Sequence, residues 1–322
     1  MTLYSSFWKE KVGPARSAGE RAQNREQMSV ILVTGASGFV GSRLVEKLAG
    51  TTTVVSLSRS PVAGDVVSVE GDFTSLESLA QLDRYTIDVC IHLAGVTGAA
   101  SEEDAIAVNV AGTRRMLRYL IDRGTSRFVL ASSIAAAGCL DADFLPRAVP
   151  IPDEHPCDST NIYGVSKAMM EDLAGYFHRV DPSLDITVFR LGVVVPEDSP
   201  PVTVEMVESM SLPFCDLGAI AVQDVAEALE LAATAGLGPG CRTLNLVAPM
   251  PPTPLGTVET LRLLLEDRVD QLDLSYYRQP GNENAGVYAT TELRRRLGYT
   301  PPTDVRSMTA DNAHPLRPQQ ET

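Results

Sequence analysis

Tyr163 and Lys167 stand four residues apart in the run Asn161-Ile162-Tyr163-Gly164-Val165-Ser166-Lys167. On a helix that spacing is about one turn, so a phenol and an ammonium would share a face. A free tyrosine has a pKa of roughly 10, and each unit of lowering corresponds to about 1.4 kcal/mol of preference for the phenolate. Reaching neutrality takes about 4 kcal/mol on that scale, which the lysine together with a second cationic group, such as a nicotinamide ring, could supply. The lysine is conspicuous because 23 of the 27 basic residues are arginines, and the other lysines, Lys9, Lys11 and Lys47, all precede it. The pair reads as a device for moving a proton.

A proton-transfer pair needs a scaffold, and the pattern around it describes one. From Ser29 onward short β-branched runs alternate with longer amphipathic ones, as expected of a parallel sheet with helical crossovers. The spacing predicts strands at Val30 to Thr34, Thr53 to Leu57, Val66 to Glu70, Val89 to Leu93, Phe128 to Ser132, Thr187 to Leu191 and Thr243 to Val247. Helices are predicted at Gly41 to Ala49, Leu76 to Gln81, Glu102 to Arg123, Tyr163 to Val180 and Val222 to Ala235. Right-handed crossovers then give an α/β fold with a Rossmann-type doubly wound parallel sheet.

Residues 193–219 and the stretch after Pro249 break the rhythm, and they are expected to build a small C-terminal substrate cap. The expected organisation is a dinucleotide-binding unit from residues 28–192 plus 220–248, and a cap from 193–219 plus 249–310. Residues 1–27 read as a flexible extension, with Met28 as an alternative start, and 311–322 as a flexible tail.

The first strand runs into Thr34-Gly35-Ala36-Ser37-Gly38-Phe39-Val40-Gly41, three glycines at intervals of three, followed by an amphipathic helix. Strand, glycine turn and helix in that order let a backbone approach a pyrophosphate whose charge meets the helix N-terminus. The second strand ends Leu57-Ser58-Arg59-Ser60 rather than in the acid that an NAD site usually offers to the ribose hydroxyls. An arginine between hydroxyls suits a 2′-phosphate, which favours NADP over NAD. The alternative is a solvated Arg59 in a surface turn. Asp72, in Gly71-Asp72-Phe73, is placed to hold adenine, and Leu93-Ala94-Gly95 ends the fourth strand in small residues that let a cofactor lie against the backbone.

The bulk properties limit the partners. A length of 322 residues with 44% hydrophobic content suffices for a full core, and a formal charge of −14 opposes nucleic acid or an anionic membrane. A small-molecule substrate is expected instead. No apolar run reaches a membrane span and residues 1–27 lack a signal-peptide core, so a cytoplasmic location is expected. Cys90, Cys139, Cys157, Cys215 and Cys241 are odd in number and widely spaced, which indicates reduced thiols rather than a disulfide framework. His92, His155, His178 and His314 show no metal-ligand spacing, and no metal is expected.

Together, the glycine turn, His92-Leu93-Ala94-Gly95, Asn109, Ser132-Ser133 and Tyr163-Gly164-Val165-Ser166-Lys167 resemble the extended short-chain dehydrogenases/reductases, the superfamily of NAD-dependent epimerases and dehydratases. The resemblance runs from about residue 29 to 305 and includes the closing Leu-Gly-Tyr-Thr-Pro. It implies that Tyr163 is the acid/base, that Lys167 binds the nicotinamide ribose and lowers the tyrosine's pKa, and that Ser133 hydrogen-bonds the reacting oxygen, with Ser132 as runner-up. It further implies cofactor contacts from Gly35, Ser37, Gly38, Phe39, Val40, Arg59, Asp72, Phe73, Leu93, Ala94, Gly95, Asn109, Tyr163, Lys167, Leu191 and Val193. Asn109 takes a structural and water-positioning role, and a homodimer through Glu102 to Arg123 and Tyr163 to Val180 is expected by analogy.

The departures are as informative. Dehydratases of the family carry an Asp-Glu pair after the active-site hydroxyl, whereas Ser133 is followed by Ile134-Ala135-Ala136. Nucleotide-sugar epimerases carry an asparagine soon after the sixth-strand arginine, and this chain reads Arg190-Leu191-Gly192-Val193. A diphosphate buried without cations or donors is costly, which disfavours a nucleotide-sugar substrate. The expected activity is therefore an NAD(P)-dependent oxidoreductase interconverting an alcohol and a carbonyl on a small polar substrate, either a sugar acid or a secondary-metabolite ketone. Arg190, Arg242 and Arg278 are candidate partners for a substrate carboxylate, with Tyr276 and Tyr277 lining the pocket or packing against the cap. The alternatives are a sugar epimerase and, in another class, a non-catalytic NADP-binding regulator.

Overall fold

The computed structural model describes residues 29–306, so the expected N-terminal extension and C-terminal tail lie outside the described residues. Seven strands form one parallel sheet: β1 (Val30–Thr34), β2 (Thr53–Ser58), β3 (Val67–Glu70), β4 (Val89–His92), β5 (Arg127–Ser133), β6 (Asp185–Leu191) and β9 (Gly240–Leu246). Their spatial order is β3-β2-β1-β4-β5-β6-β9, so the chain winds outward from β1 in one direction and then crosses to build the other half. The doubly wound sheet is the one expected from the alternation of strand and helix, and strands begin and end within three residues of the predicted positions.

Successive strand residues feed opposite layers. Ile31 and Val33 pack with Leu44 and Val45 of α1 (Phe39–Leu48) and with Val225 and Leu229 of the later helix Val222–Ala235. Leu32 faces the other way, toward α2 (Leu76–Ala80), α3 (Thr113–Ile121) and α4 (Ile162–Val180), where it joins Leu79, Met116, Leu117, Met170 and Phe177. Central strands buried on both faces need no polar alternation, hence their continuous apolar runs. The loss of water from these two layers is the main stabilising contribution to the sheet.

The helix predicted from Glu102 to Arg123 is not uniform. It opens with one turn at Glu102–Asp104, passes through a π-helical stretch at Ala105–Gly112, and becomes α3 only at Thr113. The wider turn carries Asn109, which is buried.

The 193–219 region, expected to be irregular, holds a second small sheet. β7 (Val193–Val195) pairs in parallel with β8 (Ala219–Ala221), with α5 (Val204–Glu208) and α6 (Pro213–Asp216) between them. Strands this short carry too few residues to show a period in the sequence. After β8 come α7 (Val222–Ala235), α8 (Thr257–Leu265) and α9 (Thr291–Leu297). A third apolar cluster, with Ile134, Ile151, Phe214, Leu261, Tyr277 and Tyr288, joins the segment after β5 to α6, α8 and the 274–288 region.

The turn after β1 shows why the glycines are there. Gly35 adopts a φ of +73°, and a Cβ on it would lie 2.7 Å from the Ala94 nitrogen. A Cβ on Gly41 would lie only 2.1 Å from the Gly35 carbonyl oxygen, so α1 can start directly above the strand only without one. A Gly41→Ala variant is expected to lose about 1–3 kcal/mol of stability through this overlap. Urea unfolding of the variant against wild type measures it.

Candidate active site

All seven strands of the main sheet point the same way, so Thr34, His92, Ser133 and Leu191 end at one edge. The Tyr163 side chain arrives there from the first turn of α4, whose N-cap is Asn161, its Oδ1 accepting from the Tyr163 N–H at 2.9 Å. One turn later Lys167 points back at β5, and its Nζ donates to the Ala131 carbonyl at 2.8 Å. The ammonium is buried and lies 5.8 Å from the centre of the Tyr163 ring. An ammonium has three donors, and among the described residues Ala131 is the one hydrogen-bond acceptor it finds. The remaining donors are available to a ligand.

The ionisation states follow from burial. Desolvation pushes the Lys167 pKa down to about 8, with the Glu171 carboxylate opposing it. The Tyr163 phenol is raised above its ordinary value, first by burial and further by the Cys139 and Cys215 thiols, while a hydrogen bond with Ser133 pulls the other way. The lysine alone does not acidify the phenol, and the expected lowering needs a cationic nicotinamide ring beside it as well. Without a further positive charge the phenol stays protonated, because loss of solvation outweighs the hydrogen bond.

Ser133 Oγ accepts from the Ala135 N–H at 3.1 Å, which fixes the hydroxyl at the strand end beside the Tyr163 phenol. Ser132, the runner-up, is committed elsewhere: its hydroxyl donates to Glu171 Oε1 at 2.6 Å. Asn109 holds the loop after β4 through both polar atoms. Its Oδ1 accepts from the Val96 N–H at 2.9 Å, and its Nδ2 donates to the Val96 carbonyl at 3.1 Å and to Ser166 Oγ at 2.9 Å. Ser166 in turn donates to the Tyr163 carbonyl at 2.7 Å, so Asn109 ties the β4 loop to the catalytic helix. His92 is buried between Thr34 and Thr113 hydroxyls, and desolvation lowers its pKa to about 3. It is a neutral packing group.

A cavity of about 170 Å³ connects these residues, lined by Leu93, Gly95, Ser133, Tyr163, Lys167 and Leu191, among others. Val96, Thr97, Gly192 and Val194 also line it and had no place in the sequence reading. Val193, expected to touch the cofactor, faces a different cavity. The period-two alternation of β7 sends Val194 toward the catalytic cavity and Val193 and Val195 away from it, a signal that was available once the segment was known to be a strand.

The residues fit a dinucleotide. Helix α1 has Gly38 as N-cap with no side-chain cap, leaving its first N–H groups at Phe39 and Val40 for an anion, and Ser37 and Gly38 are exposed beside them. At the end of β2 the Ser58 hydroxyl is buried without a hydrogen-bond partner. Arg59 next to it is exposed and has no hydrogen-bond or ion-pair partner among the described residues. Asp72 spends one carboxylate oxygen on the Thr74 N–H at 2.8 Å, and the Phe73 ring is buried edge-on against His92, so Phe73 meets a ligand through its backbone only.

The expected substrate contacts are corrected. Arg190 is buried in an ion pair, Nη2 to Glu171 Oε2 at 2.8 Å, and also donates to the His155 carbonyl at 3.0 Å. Arg242 sits near the opposite, amino edge of the sheet, donating to Asp185 Oδ1 at 2.7 Å. Tyr277 is a core residue whose hydroxyl donates to the Gly286 carbonyl at 3.1 Å, while Tyr276 and Arg278 are exposed and line neither cavity. A buried arginine in a strand reads from sequence like a pocket arginine, because its partner, Glu171, lies on another element.

The sequence profile of the NAD dependent epimerase/dehydratase family matches residues 31–207, more than half of the chain. The chain belongs to that family, within the extended short-chain dehydrogenases/reductases. Among curated relatives, it is 31% identical over 179 residues to the bifunctional protein GAL10 of Kluyveromyces lactis, covering 49% of this chain and 26% of that protein. It is 28% identical over 203 residues to the NAD-dependent glucose-6-phosphate dehydrogenase of Haloferax volcanii, covering 58% of this chain and 77% of that one. The chain thus spans about a quarter of the first relative's length. The solved UDP-glucose 4-epimerase of Bifidobacterium longum, in complex with NAD+ and UDP, superposes with a TM-score of 0.64 at 20% identity, covering 88% of this chain and 96% of that one. No helix among the described residues is long and apolar enough to cross a membrane.

The buried ammonium makes stability depend on pH. Its folded pKa, about 8, lies below the ordinary lysine value of 10.5. Between those values the unfolded chain binds the extra proton, so this contribution rises with pH across the window and is lost as pH falls through about 8. The difference in unfolding free energy between wild type and Lys167→Met, from urea titrations of dinucleotide-free protein, is expected to grow over that window. A flat difference contradicts the assignment.

Proposed function

We propose that this protein is an NAD(P)-dependent oxidoreductase that interconverts a secondary alcohol and a ketone, with Tyr163 as the proton-transfer group. The observation that carries this reading is the buried Lys167 ammonium with unfilled donor positions, set beside Tyr163 and Ser133 at the same sheet edge as the glycine turn. Bound there, the dinucleotide would supply hydride exchange and, when oxidised, a positive ring charge beside the phenol. In the direction of reduction the raised pKa keeps the Tyr163 proton in place for delivery to the substrate oxygen. Ser133 turns its hydroxyl hydrogen from the phenol to the same substrate oxygen and orients it. Lys167 holds the nicotinamide ribose through the donors that Ala131 does not use.

The cations favour one of the two substrate types considered. Lys167 is the one cation lining either cavity among the described residues, and the three arginines considered for a carboxylate are paired or exposed elsewhere. This favours a ketone over a sugar acid. Within the same reading, Arg59 and the unpartnered Ser58 hydroxyl favour the 2′-phosphate of NADP over NAD. A stripe of exposed apolar residues on α4, Met169, Tyr176 and Val180, supports a homodimer through that helix.

The second reading is sugar epimerisation, in which hydride leaves and returns on one retained dinucleotide; the epimerases among the relatives favour it. A non-catalytic regulator has no use for a buried amine beside a phenol, and nothing in the site favours it.

For Tyr163→Phe, dinucleotide affinity by calorimetry is expected to stay within about twofold of wild type, while ketone-dependent NADPH oxidation falls by about 10²–10⁴-fold. Retained turnover would remove the phenol from the chemistry. For Arg59→Ser, the KM for NADPH is expected to rise by about tenfold with the KM for NADH little changed. An equal effect on both cofactors would assign Arg59 to the surface.

A further inference from the structure

A second cavity, of about 400 Å³, lies on the other side of β7 from the catalytic one. Its volume falls within the range of small-molecule sites. Val193 and Val195 face it while Gly192 and Val194 line the catalytic cavity, so the two adjoin along one short strand. Its other walls come from Val202, from Met206 of α5, from Met210 and from Ala219 of β8, the strand paired with β7. The single ionisable side chain on its lining is Asp216, at the end of α6.

Asp216 is half-buried and held in place. Its Oδ2 accepts from the Leu212 N–H at 3.1 Å, and its other oxygen has no hydrogen-bond partner among the described residues. Burial raises its pKa, while the Leu212 hydrogen bond opposes that shift. A phosphate or carboxylate entering this cavity would meet the Asp216 carboxylate, valine, methionine and proline walls and the hydroxyls of Ser199, Ser209 and Ser211, of which Ser209 already donates to the Met206 carbonyl, with no cation to offset its desolvation. An apolar body finds matching walls, and a cation or hydrogen-bond donor finds the open oxygen of Asp216.

We infer that this cavity is the specificity site for the part of the substrate remote from the reacting carbon, and that it takes an apolar, neutral or cationic group and rejects nucleoside diphosphates. The inference rests on the proposed hydride-transfer reading and narrows its substrate class. It sets this chain apart from the relatives whose names carry UDP-sugars, because the lining offers a diphosphate an acid and no cation.

The test is calorimetric titration of wild type saturated with oxidised dinucleotide, so that a ketone binds without reacting. The probes are 4-arylbutan-2-ones bearing a para methyl, aminomethyl or carboxylate group, with UDP and UDP-glucose alongside. The aminomethyl ketone is expected to bind tightest and the carboxylate weakest, with about tenfold or more between them, and no UDP binding. Asp216→Asn, which keeps an oxygen for the Leu212 N–H, should reduce the aminomethyl ketone to the level of the methyl one. Met206→Arg should weaken the methyl ketone and strengthen the carboxylate.

Tight UDP binding, a carboxylate ketone that binds best, or a panel that does not bind would overturn the inference. Hydride exchange with UDP-glucose would overturn it too, yet leave the oxidoreductase reading standing. Failure of wild type to bind either dinucleotide would instead remove that reading.

Discussion

The site is organised around one buried charge. Lys167 has its ammonium inside the protein, where an unpaired charge is costly, and the fold gives it a single carbonyl, that of Ala131. That carbonyl is available because β5 is ending: its last residues lie next to the catalytic cavity, and Ser133 leaves the strand to cap the turn that follows. Gly95 is part of the same constraint. A Cβ there would lie 2.7 Å from Asn109 Oδ1 and 3.7 Å from Lys167 Nζ, so the β4 loop can close over the ammonium only without a side chain. A site that buries a charge and leaves donors unfilled is built for a ligand that brings the acceptors.

Holding that geometry takes two polar networks on α4. One runs from Asn109 on its π-helical turn through Ser166 to the Tyr163 carbonyl, and it fixes the first turn of the helix against the β4 loop. The other is centred on Glu171, one turn beyond Lys167, which accepts from Ser132 of β5 and Arg190 of β6. Arg190 then reaches the carbonyls of Asp153 and His155, which fastens the segment leading to α4. The Arg190–Glu171 pair therefore acts through position rather than chemistry: it sets where Tyr163 and Lys167 stand along the sheet edge.

Much of this was legible in the sequence because it is local. Strands β1 to β6 announce themselves as apolar runs, the glycine turn has a fixed spacing, and Tyr163 to Lys167 is a helical interval. What was not legible is non-local. Arg190 and Arg242 look alike on paper, and only the positions of Glu171 and Asp185 show that both are committed. The β7–β8 pair is too short for periodicity, so the partition of Val193 and Val194 between two cavities was hidden with it. The state of the Tyr163 phenol in the free protein was not legible for a related reason. Spacing gives the distance to a lysine but not the loss of solvent, and here desolvation has the larger effect.

On the proposed mechanism the phenol is protonated in the free protein and becomes acidic only when a positively charged ring is brought beside it. Ultraviolet difference titration of wild type against Tyr163→Phe, read in the phenolate band, isolates this one group among the tyrosines. The account predicts a Tyr163 pKa above the ordinary tyrosine value without dinucleotide, falling below it on saturation with the oxidised dinucleotide. A pKa that is already low in the free protein, or that does not move on saturation, would contradict it.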